Sequence, residues 1–156
     1  MRVHLCAVGR LRQGPERDLV DDYTTRFDRT GRALSLGPLS VHEVEDRKNG
    51  GMEAEAELLA RAVPSGALVC VMDERGRTLS SPDFADQLAR WRDGGRQDVA
   101  FVIGGADGLA PAFRNLADFA LSFGQMVWPH MLVRVMLTEQ LYRAASILSG
   151  APYHRA

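Results

Sequence analysis

Three short stretches carry the residue types from which a reaction centre could be built. In "FVIGGADGL", Phe101 to Leu109, an apolar run rich in β-branched residues stops at Gly104 and Gly105, and a third glycine follows at Gly108. In "GQMVWPH", Gly124 to His130, a glycine, a large aromatic and a proline stand together before a helical pattern. A proline-stiffened loop beside a glycine-lined loop can form a narrow slot, with backbone N–H and C=O groups facing inward. Met126, Val127 and Trp128 would supply apolar walls, and such a slot suits a flat, uncharged heterocycle such as adenine. The bland alternatives stay open: the glycines let the chain turn at positive φ, and Trp128 packs in a core or an interface. The third stretch is "YHR", Tyr153 to Arg155, beyond the last helical pattern. Terminal residues are usually unstructured, so Tyr, His and Arg placed there suggest a tail that folds over a site. Of the other histidines, His4 and His42 sit in strand-like runs and read as structural. His130 follows Pro129, where starting a helix and taking part in chemistry are equally open. No spacing of His, Cys, Asp or Glu resembles a metal site.

What is missing narrows the chemistry. Neither GxGxxG nor GxxxxGK[ST] occurs, so the dinucleotide fingerprint and the P-loop are absent, as are GxSxG and HExxH. Of the 19 Lys and Arg residues only Lys48 is a lysine, in a polar loop with no motif around it, which removes most lysine chemistry. The formal net charge of −1 advertises no nucleic-acid partner by itself. Cys6 and Cys70 lie far apart in apolar segments and read as small buried fillers in a reducing cytoplasm. The first 30 residues show no signal-peptide pattern. The most apolar region, Met131 to Leu148, is interrupted by Arg134, Glu139 and Arg143, so a membrane span is not expected.

The elements that would position these stretches follow from hydrophobic periodicity. Strands are predicted at Arg2–Gly9, in Ala33–Val44 with a break at Gly37-Pro38, from Ala67 with its apolar run ending at Asp73, at Phe101–Ile103, and at Phe119–Gly124. Helices are predicted at Pro15–Arg29, Met52–Ala62, in "SSPDFADQLARWRDGG" with Ser at the N-cap, Pro82 just inside and glycines after the end, briefly at Ala110–Asn115, and at His130–Leu148. Strands that read as continuous apolar runs and alternate with helices mean an α/β fold with a mostly parallel sheet covered on both faces. With no repeat and no linker, residues 1–156 are expected to form one domain. Ligands of such sheets lie outside the carboxyl ends of the strands. Here those ends are "MDERG", "GGADG" and "FGQMVWPH". The final helix carries apolar residues around much of its circumference, among them Leu132, Val133, Met136, Leu137, Leu141, Ile147 and Leu148. One stripe is therefore expected to face a partner subunit.

The ordered set "IGGADGL", then "LSFGQMVWPHMLVRVMLTEQLYRAASILSGAPYHR", with the opening strand "VHLCAVGR", strongly resembles the ribosomal RNA large-subunit methyltransferase H family, along essentially the full length. The resemblance implies a SPOUT-like fold with a C-terminal trefoil knot and a homodimer with the site across its interface. It also implies use of S-adenosyl-L-methionine to methylate N3 of a pseudouridine in 23S rRNA, in the cytoplasm and without a metal. Carried over by position, the cofactor slot is Met72, Gly104, Gly105 and the loop Phe123, Gly124, Gln125, Met126, Val127, Trp128 and Pro129. The catalytic or RNA-facing set is His130, Arg134, Glu139, Arg143, Tyr153, His154 and Arg155. Uracil-type N3 must lose its proton to attack, so a base or nearby positive charge is needed. Histidine, with an ordinary pKa of about 6.5, suits the first role at His154, and Arg143 or Arg155 suits the second. Tyr153 could stack on the base. Affinity for naked RNA comes largely from phosphate neutralisation, so a near-neutral chain points instead to recognition of the assembled ribosome by a dimer. A non-catalytic dimeric ribosome-binding or assembly factor of the same fold is the alternative, and an unrelated nucleotide-binding enzyme a weaker one.

Overall fold

The computed structural model describes residues 1–155. Five strands, β1 (Arg2–Val8), β2 (Leu39–Val44), β3 (Leu68–Thr78), β4 (Asp98–Ile103) and β5 (Phe119–Ser122), form one sheet in the order β2-β1-β4-β3-β5. All four neighbouring pairs are parallel. The connections contain α1 (Pro15–Gly31), α2 (Gly51–Ala62), α3 (Ser81–Asp93) and α4 (Pro111–Leu116), and α5 (His130–Ser149) closes the chain.

Both sheet faces are covered, which is why the central strands read as unbroken apolar runs. Val3, Leu5 and Ala7 of β1 face a core shared with Phe27 of α1, Phe84 and Leu88 of α3, and Leu137 and Leu141 of α5. Cys6 and Val8 face the other way, onto Leu59 of α2, with Phe113 of α4 at the same cluster. The two cysteines are buried and unpaired, as fillers would be. Ser80 caps α3, its Oγ accepting from Asp83 N–H at 3.1 Å, and Gly150 ends α5 at φ 74°. No helix among the described residues is long and apolar enough to cross a membrane.

Two expectations change. Only residues from Leu39 to Val44 of the second strand region pair; Arg32–Leu34 is a 3₁₀ turn and the Gly37-Pro38 peptide is cis. The third strand outlasts its apolar run, reaching Thr78. Beyond Met72 its register with β5 shifts, Met72 and Arg77 both standing opposite Leu121. Polar residues can continue a strand here because the chain bulges off the sheet between those two pairings.

Candidate functional site

The bulge at Asp73–Gly76, the Gly104–Leu109 loop after β4 and the Phe123–Pro129 stretch after β5 enclose a cavity of about 670 Å³. It lies at the carboxyl ends of β3, β4 and β5, where an α/β sheet keeps its ligands. Met72, Gly104, Gly105, Phe123, Gly124, Met126, Val127, Trp128 and Pro129 all line it, and so does His130 at the start of α5. Gln125 does not; it is exposed beside the wall.

The glycines serve the loop more than an empty slot. A β-carbon on Gly104 would come 2.7 Å from the Gly108 carbonyl group, so residue 104 is small because the loop folds back on its own backbone. Gly108 donates its N–H to Gly105 C=O at 3.0 Å and takes φ +82°. A β-carbon on Gly105 would meet the Glu55 carboxylate at 2.5 Å, on the α2 side of the loop. The expectation that Gly105 itself leaves room for a ligand is therefore revised. The two glycines shape the wall, and the neighbours they spare are protein atoms.

The cavity also brings in charged residues with no signature in the sequence. Asp73 accepts from Arg75 N–H (2.9 Å) and Nε (3.1 Å) and from Nη1 of Arg114 on α4 (3.3 Å). His130 Nδ1 is buried without a partner. Burial, then the charge of Arg134, lowers the pKa of His130 from its ordinary value, so the ring is neutral at pH 7.

A second group forms between the second half of α5 and the tail. Glu139 Oε1 accepts from Arg143 Nε (3.0 Å) and Nη2 and from Tyr153 Oη (2.9 Å). Arg143 lies over the Tyr153 ring, 4.7 Å from its centroid, and its Nη1 is 3.3 Å from His154 Nδ1. Guanidinium only donates, so His154 Nδ1 is the acceptor and its proton sits on Nε2. Burial and the bond to Glu139 raise the Tyr153 pKa, and the phenol stays protonated. The tail thus folds back against α5 and not over the cavity of its own chain, with Arg155 exposed at its edge.

Arg134 joins neither group. It is 1% exposed, donating from Nη2 to Val8 C=O (2.6 Å) and Gly9 C=O (2.8 Å) and from Nη1 to Glu43 (2.9 Å). Its expected catalytic or RNA-facing role gives way to a structural one, because the guanidinium is buried against the ends of β1 and β2. The apolar circumference of α5 is divided: Leu137 and Leu141 are 0% exposed inside the chain's own core, while Leu132 stays 39% exposed.

Residues 1–154 match the family model described as "Predicted SPOUT methyltransferase". The chain belongs to the SPOUT methyltransferase family. Among its relatives, a protein of Roseobacter denitrificans named ribosomal RNA large subunit methyltransferase H is 74% identical over 155 residues, covering 99% of each chain. One of the same name from Cereibacter sphaeroides strain ATCC 17025 is 73% identical with the same coverage. Among solved structures, a probable methylase family protein of Haemophilus influenzae matches the fold at a TM-score of 0.55 and 14% identity, over 99% of this chain and 70% of its own.

Within the SPOUT frame the two groups are far apart. Glu139 and Arg143 follow His130 by nine and thirteen residues, which along an α-helix is about 14 and 20 Å. One chain therefore holds a cavity at the start of α5 and a basic, aromatic tail cluster at its end. No three His, Cys, Asp or Glu side chains among the described residues gather as a metal site requires.

Proposed function

We propose that this SPOUT methyltransferase transfers a methyl group from S-adenosyl-L-methionine to N3 of a pseudouridine in 23S rRNA. In this reading it acts as a homodimer on the assembled ribosome in the bacterial cytoplasm, its C-terminal segment drawn through a trefoil knot. The observation that carries the reading is the separation of cavity and tail cluster on one α5, in a chain about three-quarters identical to relatives named for rRNA methylation. A two-fold axis that pairs the α5 helices antiparallel would bring one protomer's tail to its partner's cavity.

The cavity fits the donor. Its volume lies in the range of small-ligand sites, apolar walls such as Trp128 and Met126 suit adenine, and an unpartnered guanidinium nitrogen lies in the wall. Met72, Gly104, Gly105 and the 123–129 stretch would hold it, with Gln125 at the rim. When bound, the donor supplies a methyl group on an electron-poor sulfonium, displaced in line by the target nitrogen. The chain's own part is position and charge. Arg143 stabilises the anion that N3 becomes on giving its proton to solvent water. His154, whose Nδ1 accepts from Arg143, presents its Nε2–H to that anion as a donor rather than acting as the base. Glu139 holds Arg143 and Tyr153 in place, Arg155 stands by as a second cation, and Tyr153 offers a face to the base. Neutral His130 closes the floor of the cavity.

Mass spectrometry of 23S rRNA from cells lacking the gene, with and without the gene restored, tests this. Loss of one N3-methylated pseudouridine that returns on complementation is expected. The same modification present in both strains would defeat the proposal, and loss restored by a tail-deleted chain would leave only an assembly role.

A further inference from the structure

Arg114 is oriented in the cavity wall with its carboxylate-binding edge unused. Asp73, itself held by Arg75, engages Arg114 through Nη1 at 3.3 Å. That is the only hydrogen bond of the side chain among the described residues, and Nε is buried with no acceptor. Nε and Nη2 lie on the same edge of the guanidinium, and that edge is the planar fork that takes a carboxylate with two parallel bonds. A buried donor left unsatisfied is costly, so this edge is waiting for an oxyanion. The cavity is the nearest source of an acceptor, since Arg114 is one of its lining residues and its side chain is 24% exposed. Arginine cannot lose its proton to relieve the burial.

We propose that Arg114 binds the α-carboxylate of the methyl donor's amino-acid moiety, with Asp73 as the positioning residue that aims it. The assignment rests on the donor proposed above. The rival oxyanion, an RNA phosphate, sits on a bulky backbone and suits an exposed arginine better than a buried Nε. Asp73, Glu74 and Asp107 line the same wall, so carboxylates stand ready for the ammonium beside that carboxylate.

The test is calorimetric binding to the full-length protein, without turnover. Its probes are S-adenosylmethionine and decarboxylated S-adenosylmethionine, which keeps the sulfonium and ammonium but lacks the carboxylate. Wild-type protein should bind the intact donor about 10- to 100-fold more tightly, the gain of a charge-assisted bidentate pair. Arg114→Ala should erase that preference by weakening the intact donor alone, and Arg114→Lys should restore part of it. Asp73→Asn should reduce the preference without abolishing it. Equal affinities for the two probes in wild-type protein would overturn the assignment even if no variant folds. Equal weakening of both by Arg114→Ala would assign Arg114 to the wall's structure instead. Unchanged donor affinity in Arg114→Ala with a flatter salt dependence of ribosome binding would hand the fork to an RNA phosphate. If wild-type protein binds neither probe, the proposed function fails and not merely this extension.

Discussion

A β-carbon at residue 104 would collide with backbone, whereas one at residue 105 would meet the tip of a flexible glutamate. Backbone closed by a loop hydrogen bond cannot retreat cheaply; a glutamate side chain can. Gly104→Ala should therefore cost about 1–3 kcal/mol, as overpacking typically does, and weaken donor binding, while Gly105→Ala should cost less than half as much. Thermal melts and donor titrations of the two variants check the order. A second residue-scale prediction concerns the far edge of the sheet. His4 Nε2 meets Asp98 at 2.8 Å and its Nδ1 meets His42 Nε2 at 3.2 Å, while Arg2 pairs with Asp98. Burial, then the His4 charge, lowers the His42 pKa from 6.5. Between the ordinary and the lowered value the unfolded chain binds more protons than the folded one. Stability should thus be full above about pH 6.5 and fall as pH drops through that window. Asp98 carries the opposite charge but the same trend in a lower window: its pKa is depressed from 3.8, first by Arg2, so its contribution is lost below that value. Urea unfolding of wild type and His42→Gln at pH 5 and pH 7.5 separates the two, since the variant should show a flatter response across this range.

At the scale of elements, α5 ties the molecule together at both ends. Near its start, Arg134 clamps the ends of β1 and β2, and Glu43 is shared with Leu11 N–H at 2.6 Å. Arg134→Ala would leave the buried Val8 carbonyl and the half-buried Gly9 carbonyl without that donor, and Glu43 with Leu11 N–H alone. It should destabilise by about 1–3 kcal/mol, the usual cost of leaving a buried polar group unsatisfied, measured as a shift in denaturation midpoint. Near its other end, the tail cluster rests on α5 without entering the cavity. Deleting residues 152–156 should leave donor affinity within about twofold, since the three strand-end loops are untouched, yet abolish methylation of ribosomes. Loss of donor binding in the deletion would show that the tail supports the cavity. These elements were largely legible in the chain itself: the apolar runs, the Ser80 cap and Pro82, and the glycine after the last helix mark their own boundaries. The β3 extension was not, because Asp73 to Thr78 has no apolar period and pairs with β5 only after a bulge.

For the whole molecule, the question is what covers the start of α5. Met126 and Val127 are 76% and 79% exposed and Trp128 41%, all three lining the cavity, and Met131 and Leu132 on the first turn of α5 are 41% and 39% exposed. A contiguous apolar surface of this kind marks an interaction site. In the proposed dimer it lies against the partner. Leu132→Asp should then yield a folded monomer by light scattering, with donor binding weakened and methylation lost. Leu137→Asp, an unpaired carboxylate in the core, should unfold the chain instead. A Leu132→Asp protein that stays dimeric would move the interface elsewhere.

Hydrophobic period, caps and glycines are local properties, and from them the chain determined its alternating α/β order, its sheet covered on both faces, and the strand ends that hold a cavity. The family motif added which loops those would be. Which side of a loop a glycine faces, which arginine is buried and which remains available depend on neighbours distant in sequence. Gly105 was placed against Glu55, Arg134 against Val8, Gly9 and Glu43, and Arg114 against Asp73 only when the sheet brought those segments together. A charged side chain reads the same in a sequence whether it faces solvent, a clamp or a ligand. Burial and the place of its hydrogen-bond partners, against strand ends for Arg134 and in the cavity wall for Arg114, distinguish these roles, and both are properties of the folded chain.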